Sequence, residues 1–149
     1  MVNVKVSNFV IIRGDSSRRV GDGAPVFETT FTIPEPPPTV PALNPLVHSF
    51  ITYMVKGLTV ATTNPEIRIN NSVVGQIQRA RGADRNHWFT QTVTIASGNT
   101  FPIPLHTGTN ELEIRAVSYP GAGGGDIFDD FFLRNIIVHY QILIPLGFL

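Results

Sequence analysis

The chain has 149 residues, the length of one ordinary domain, and it carries eleven basic residues against eleven acidic ones with no cysteine. A formal charge of zero removes the electrostatic footprint of a phosphate-binding surface, so nucleic acid is not an expected partner, and the lack of cysteine excludes disulfides, thiolate metal sites and a cysteine nucleophile. Only 15% of residues are charged while 42% are hydrophobic, and a surface with so few charges does little to keep copies of the chain apart.

The first residues, MVNVKVSNFVIIRGD, lack a basic region followed by an apolar stretch and a small-residue cleavage site, and the alternation of Val2, Val4 and Val6 reads as a strand. No signal peptide is expected, which points to cytoplasmic synthesis or assembly into a particle. The apolar runs Val4 to Val6 and Phe9 to Ile12 lead into a polar turn, Arg13 to Gly23. Val26 to Ile33 places Phe27, Thr29, Phe31 and Ile33 on one side, a period of two that predicts a strand ended by Pro34. Between residues 34 and 45 six prolines block both helix and ladder hydrogen bonds, and the stretch is read as a rigid crossing between two sheets rather than a docking segment.

Val47 to Ala61 resumes the strand pattern with Phe50, Thr52 and Met54, then Leu58 and Val60 around a bulge at Gly57. Ile67 and Ile69 alternate with Arg68 and Asn70, Asn70 and Asn71 tolerate the positive φ of a tight turn, and Val73 to Ile77 returns as the second arm of a hairpin. A polar loop follows, and Trp88 to Ile95 alternates again. Leu112, Ile114 and Ala116 alternate with Glu111, Glu113 and Arg115, a half-buried strand. After a glycine-rich loop at 121–125, Phe131 to Ile142 is dense in aromatic and β-branched residues, as for a strand buried on both faces or nearly so, and it is expected to pair with the strand before the loop. Every element is β, so residues 1–149 are expected to form a single all-β jelly-roll sandwich of two antiparallel sheets. No run approaches the 18 or so apolar residues of a membrane span. The apolar tail, residues 142–149, continues past the point where the last strand needs to stop, and it is expected to pack against another copy in a homo-oligomer.

Two segments carry a resemblance. EIRINNSVVGQI, residues 66–77, resembles the strand-turn-strand "v-x-v-N-G-x-x-V-G" of galactose-binding-like jelly rolls, a group that includes sugar-binding domains of glycoside hydrolases and many carbohydrate-binding modules. LHTGTNELEIRAV, residues 105–117, resembles their later "L-x-x-G-x-N-x-L-x-I" strand, and the likeness extends over about residues 46–142. Asn71 stands where glycine is usual, Gly108 makes a turn, and Asn110 can hydrogen-bond the loop backbone. The resemblance implies a sandwich and, by analogy from fold, a non-catalytic carbohydrate-binding, lectin-like module rather than an enzyme. The alternative from a different class is a structural or assembly subunit of a multimeric, phage-like particle.

The candidate chemistry is sparse. His48, His87, His106 and His139 have no zinc spacing, and there is neither a G-x-S-x-G elbow nor a phosphate loop with its lysine. The loop RARGADRNHW offers a sugar platform in which Trp88 stacks on a ring while Arg79, Arg81, Asp84, Arg85, Asn86 and His87 hydrogen-bond its hydroxyls. In the plainer reading Trp88 opens the next strand and packs inward. Asp126, Asp129 and Asp130 form an acidic cluster whose oxygens could hold calcium, although their spacing fits no EF-hand. No other cofactor is expected.

Overall fold

The computed structural model describes residues 3–35, 48–59, 63–79, 86–97, 103–119, 124–125 and 127–148. Alternating side chains along these segments produce β1 (Asn3–Arg13), β2 (Arg18–Val20), β3 (Val26–Ile33), β4 (His48–Lys56), β5 (Glu66–Ile69), β6 (Ser72–Gln76), β7 (Phe89–Ser97), β8 (Gly108–Arg115) and β9 (Phe131–Pro145), followed by a short 3-10 turn at Leu146–Phe148. One sheet has the order β1-β9-β4-β7, with β2 also paired to β9; the other has the order β3-β8-β5-β6. All of these pairings are antiparallel. The result is the all-β sandwich of two antiparallel sheets expected from the sequence, with Ile51, Tyr53, Val55, Leu133 and Val138 from the first sheet meeting Phe27, Ile67, Ile69, Leu112 and Ile114 from the second.

Two expectations, the pairing across the glycine-rich loop and the bulge at Gly57, are corrected. The strands on either side of the glycine-rich loop do not pair: β8 lies between β3 and β5, whereas β9 lies between β1 and β4. Residues 116–130 are too many for a tight hairpin and enough to carry the chain across the roughly 10 Å between packed sheets, and among the described residues the two sides meet at an isolated bridge, Ser118 to Phe128. On β4 the side facing the core is Ile51, Tyr53 and Val55, and Phe50, Thr52 and Met54 face outward. Gly57, with φ 94°, ends that strand rather than bulging it. Along residues 131–142 β9 is buried on its inner side and half-buried on its outer side, with no exposed residue. Between Ile137 and Arg134 it advances three residues while β4 advances two, and the residue in the left-handed region there is Asn135, φ 49°. This bulge switches the side-chain alternation, so Phe131 and Leu133 point inward before it and Ile136, Val138 and Tyr140 after it.

The tail does not leave its sheet at residue 142. β9 continues to Pro145 with β1 beside it, Val6 opposite Ile142 and Asn3 opposite Pro145. Ile142 packs against the core, and Leu146 is 54% exposed. The proline-rich crossing lies outside the described residues except for Pro34 and Glu35, and Pro34 follows the last residue of β3 as expected.

The hairpin and the loop before β8 are held by one pair of amides. Asn70 and Asn71 have φ 49° and 66°, the two positive values of a type I′ turn. Asn70 Nδ2 donates to Asn110 Oδ1 at 2.8 Å and to Pro104 O at 2.8 Å, while its Oδ1 accepts Glu111 N–H at 2.9 Å. Buried Asn110 donates to His106 O at 2.8 Å and Gly108 O at 3.1 Å and accepts from His106 N at 3.1 Å. Every polar atom of the Asn110 amide is therefore used. Where β6 meets β7, Gly75 has no room for a side chain because an added Cβ would overlap Val93.

Asn110→Ala is expected to lower stability by about 2–4 kcal/mol, since it strands buried donors and acceptors on Asn70, His106 and Gly108 together. Urea unfolding checks this: a midpoint close to that of the wild type would show that the amide pair does not hold the loop.

Candidate functional site

The loop singled out as a sugar platform is only partly described: Arg81, Asp84 and Arg85 fall outside the described residues. Arg79, Asn86 and His87 are exposed, and Trp88, half-buried, sits just ahead of β7. Its ring is taken up by the chain's own cations. The Arg134 guanidinium lies 4.2 Å from the ring centroid and the Lys56 ammonium 5.0 Å from it. Arg134 Nε is shielded from solvent with no hydrogen-bond acceptor among the described residues, which leaves the indole π-face as its neighbour.

The described members of the acidic cluster serve the fold. Asp129, buried, accepts a hydrogen bond from Thr59 N at 2.9 Å. Asp130 accepts from Asp22 N at 2.7 Å and pairs with Arg19 at 2.5 Å, and Asp22 in turn accepts from Ile127 N and Phe128 N. These bonds tie the approach to β9 onto the turn at Gly21, where an added Cβ would overlap the Asp130 carboxylate. Asp126 lies outside the described residues.

A different carboxylate group converges where local spacing shows nothing. β5 and β8 turn Ile67, Ile69, Leu112 and Ile114 into the core, which by alternation places Glu66, Arg68, Glu111, Glu113 and Arg115 on the outer face of the four-stranded sheet. Strand register sets Glu28 of β3 directly opposite Glu113, and Glu113 opposite Arg68. Carboxylate oxygens of Glu28, Glu111 and Glu113 all lie within 4.8 Å of one another. Arg115 grips Glu113 in a two-pronged pair, Nε to Oε1 at 2.7 Å and a terminal nitrogen to Oε2 at 2.9 Å, and Arg68 pairs with Glu66 at 2.6 Å. Beside them an open hollow of about 550 Å³ is lined by Glu66, Arg68, Glu113 and Arg115 together with Asn64, Asn71 and Gln76. The hydrogen bond from Arg115, aided by the charges of Arg115 and Arg68, holds the Glu113 carboxyl below its ordinary range against the opposing effect of desolvation. A sequence reading misses this group because Glu28 is remote from Glu111 and Glu113 along the chain. The available signal was the outward set of ELEIR, once its strand was assigned.

No protein-family model matches the chain, and no curated protein matches it. Among solved structures it is similar to a cyclase from Fischerella sp. TAU in complex with 4-(1H-indol-3-yl)butan-2-one, and to a Stig cyclase from the same organism in complex with (3Z)-3-(1-methyl-2-pyrrolidinylidene)-3H-indole. Each likeness has 13% identity and a TM-score of 0.43, covering 80% of this chain and 58% of the other. The chain thus spans less than two thirds of the structures it matches. Both solved structures are described as cyclases rather than lectin-like modules, and the expectations of a non-catalytic lectin-like module and of a chain that is not an enzyme are not carried further. Arg134 and Lys56 already stand over the Trp88 ring on which the sugar platform would rely. The likeness assigns no activity to this chain.

The depressed Glu113 titration is directly measurable. In the wild type its side-chain carboxyl should titrate by NMR below the ordinary glutamate value, and Arg115→Gln should move the midpoint upward. Because the folded value is the lower one, the pair contributes stability above the unfolded-state value and loses it as pH falls through the folded one. An unchanged midpoint in Arg115→Gln would show that the fork is not the cause.

Proposed function

We propose that the outer face of the four-stranded sheet binds a divalent cation of the calcium class through Glu28, Glu111 and Glu113, with the adjoining hollow receiving the polar end of a small ligand. The observation that carries this reading is the convergence of three carboxylates from two neighbouring strands within 4.8 Å. Carboxylates directly opposite one another in a sheet repel, and among the described residues only Glu113 of the three is hydrogen-bonded to an arginine. A cation relieves that repulsion.

Calcium fits better than magnesium. It accepts six to eight oxygens in irregular geometry, some of them water, whereas magnesium demands a near-ideal octahedron. An open face with exposed Glu28 and half-exposed Glu111 leaves room for such waters. The hollow shares Glu113 with the carboxylate group, so a ligand oxygen entering it would lie next to the bound ion, while Asn64, Asn71 and Gln76 offer amides to its remaining polar groups.

Calorimetric titration with calcium chloride tests this. Binding at one site with a dissociation constant of about 10⁻⁴ to 10⁻³ M is expected, the weak end of the protein range, because the ligands are few and solvated. Glu28→Gln and Glu111→Gln should each weaken it by about tenfold or more. If no heat above dilution is seen, or if both variants bind calcium as tightly as the wild type, the site is not where the carboxylates place it.

A further inference from the structure

The outer face of the five-stranded sheet has the wrong chemistry for a surface bathed in water. An antiparallel sheet with one solvated face alternates apolar-in and polar-out, yet here Phe9 is 56% exposed, Ile11 59% and Phe50 39%, all on the outward side. Strand register lines them up: Phe9 stands opposite His139, His139 opposite Phe50, and Phe50 opposite Thr94. The His139 ring stacks on Phe50 with centroids 4.5 Å apart and planes 10° apart, and lies 6.3 Å from Phe9. The next row runs Ile11, Ile137, Thr52, Thr92. His139 shares a hydrogen bond with Thr52 Oγ1 at 3.2 Å, which fixes the ring flat against Phe50.

This face carries a projection and a recess in the same cross-strand row. Phe9 projects from β1 at one side of the sheet, and between β4 and β7 at the other side lies a hollow of about 330 Å³ lined by Phe50, Thr92, Thr94 and Ala96. A two-fold axis running along the strands, between β9 and β4, carries β1 of one copy over β7 of the other. Each Phe9 then meets the partner's hollow at the same row. We propose that this face docks a second copy of the same chain in that manner, as an isologous dimer.

Self-complementarity selects a second copy over a foreign protein, and a chain of zero net charge sets up no long-range repulsion between copies. Lys56 and Arg134 mark the limit of the contact, since the same axis would bring each near its own copy, and the interface is therefore centred on the Phe9 and Ile11 rows. Four strands about 4.8 Å apart and seven residues rising about 3.4 Å each give a face of roughly 450 Å² per copy, or roughly 900 Å² for the pair. That is below the roughly 1,600 Å² of a standard stable interface, so the dimer should be weak and concentration-dependent.

Sedimentation velocity over a concentration series tests the proposal, with dissociation expected in roughly the tens to hundreds of micromolar. Phe9→Ser removes the projection and Thr94→Trp fills the recess; both positions are exposed, and circular dichroism confirms that each variant is folded. Each variant alone should sediment as a monomer at concentrations where the wild type associates. An equimolar mixture of the two should regain association, because one intact projection then meets one intact recess. A wild type that stays monomeric throughout, variants that associate like wild type, or a mixture that remains monomeric would each overturn the proposal.

Discussion

One extra residue in β9 decides what the larger sheet shows to the core and to solvent. Without the bulge at Asn135, strict alternation from Phe131 and Leu133 would send Asn135, Ile137 and His139 inward and leave Ile136, Val138 and Tyr140 in water. The bulge reverses that parity within one residue, and asparagine tolerates the left-handed backbone it requires. Asn135 is also held from outside, its N–H donating to Gly14 O at 2.8 Å. β1, β2 and β4 all take their register from β9, so the outward placement of His139, and with it the aromatic row it joins, follows from that position.

The smaller sheet rests on a different device, the amide pair of Asn70 and Asn110. Here the difficulty is not side-chain parity but a loop, residues 103–107, whose backbone groups run beside the core without a strand partner. A buried amide that donates twice and accepts twice satisfies several such groups at once. It also fixes where β8 begins relative to the turn of the β5–β6 hairpin. The carboxylate group depends on that register: sliding β8 by one residue would turn Glu111 and Glu113 toward the core.

These two devices were unequally legible. The hairpin turn, β3, the half-buried β8 and the role of Asn110 could all be read from the chain because each is local: two asparagines between apolar runs, an alternation of eight residues, a side chain bonding to its own loop. The bulge was hidden because the sequence FFLRNIIVHY has apolar residues at both parities, and the same composition serves a strand buried on both faces. The inward side of β4 is hidden for the same reason, since Phe50 and Met54 are as apolar as the buried Ile51, Tyr53 and Val55 that alternate with them. The separation of β8 from β9 into different sheets, and the approach of Glu28 to Glu111 and Glu113, are long-range outcomes that no local spacing encodes. Trp88 stands one residue ahead of β7 rather than opening it and packing inward, because its cationic neighbours come from β4 and β9, far away in the chain.

The sandwich therefore presents two outer faces of opposite physical character, and ionic strength acts on them in opposite senses. On the four-stranded sheet the Arg115–Glu113 and Arg68–Glu66 pairs and the attraction of a cation to the carboxylates are Coulombic and largely solvated, so added salt screens them within a Debye length of about 8 Å near physiological conditions. On the five-stranded sheet the outward-facing side chains include the exposed apolar Phe9, Ile11 and Phe50, and salts excluded from the surface strengthen the burial of such groups. The apolar core between the sheets contains no ionic chain leading from one face to the other among the described residues, because the side chains that fill it are those of Ile51, Val55, Ile67, Leu112 and their neighbours. Any binding on one face is thus energetically separate from any contact on the other, except through the strand registers that Asn110 and Asn135 hold in place.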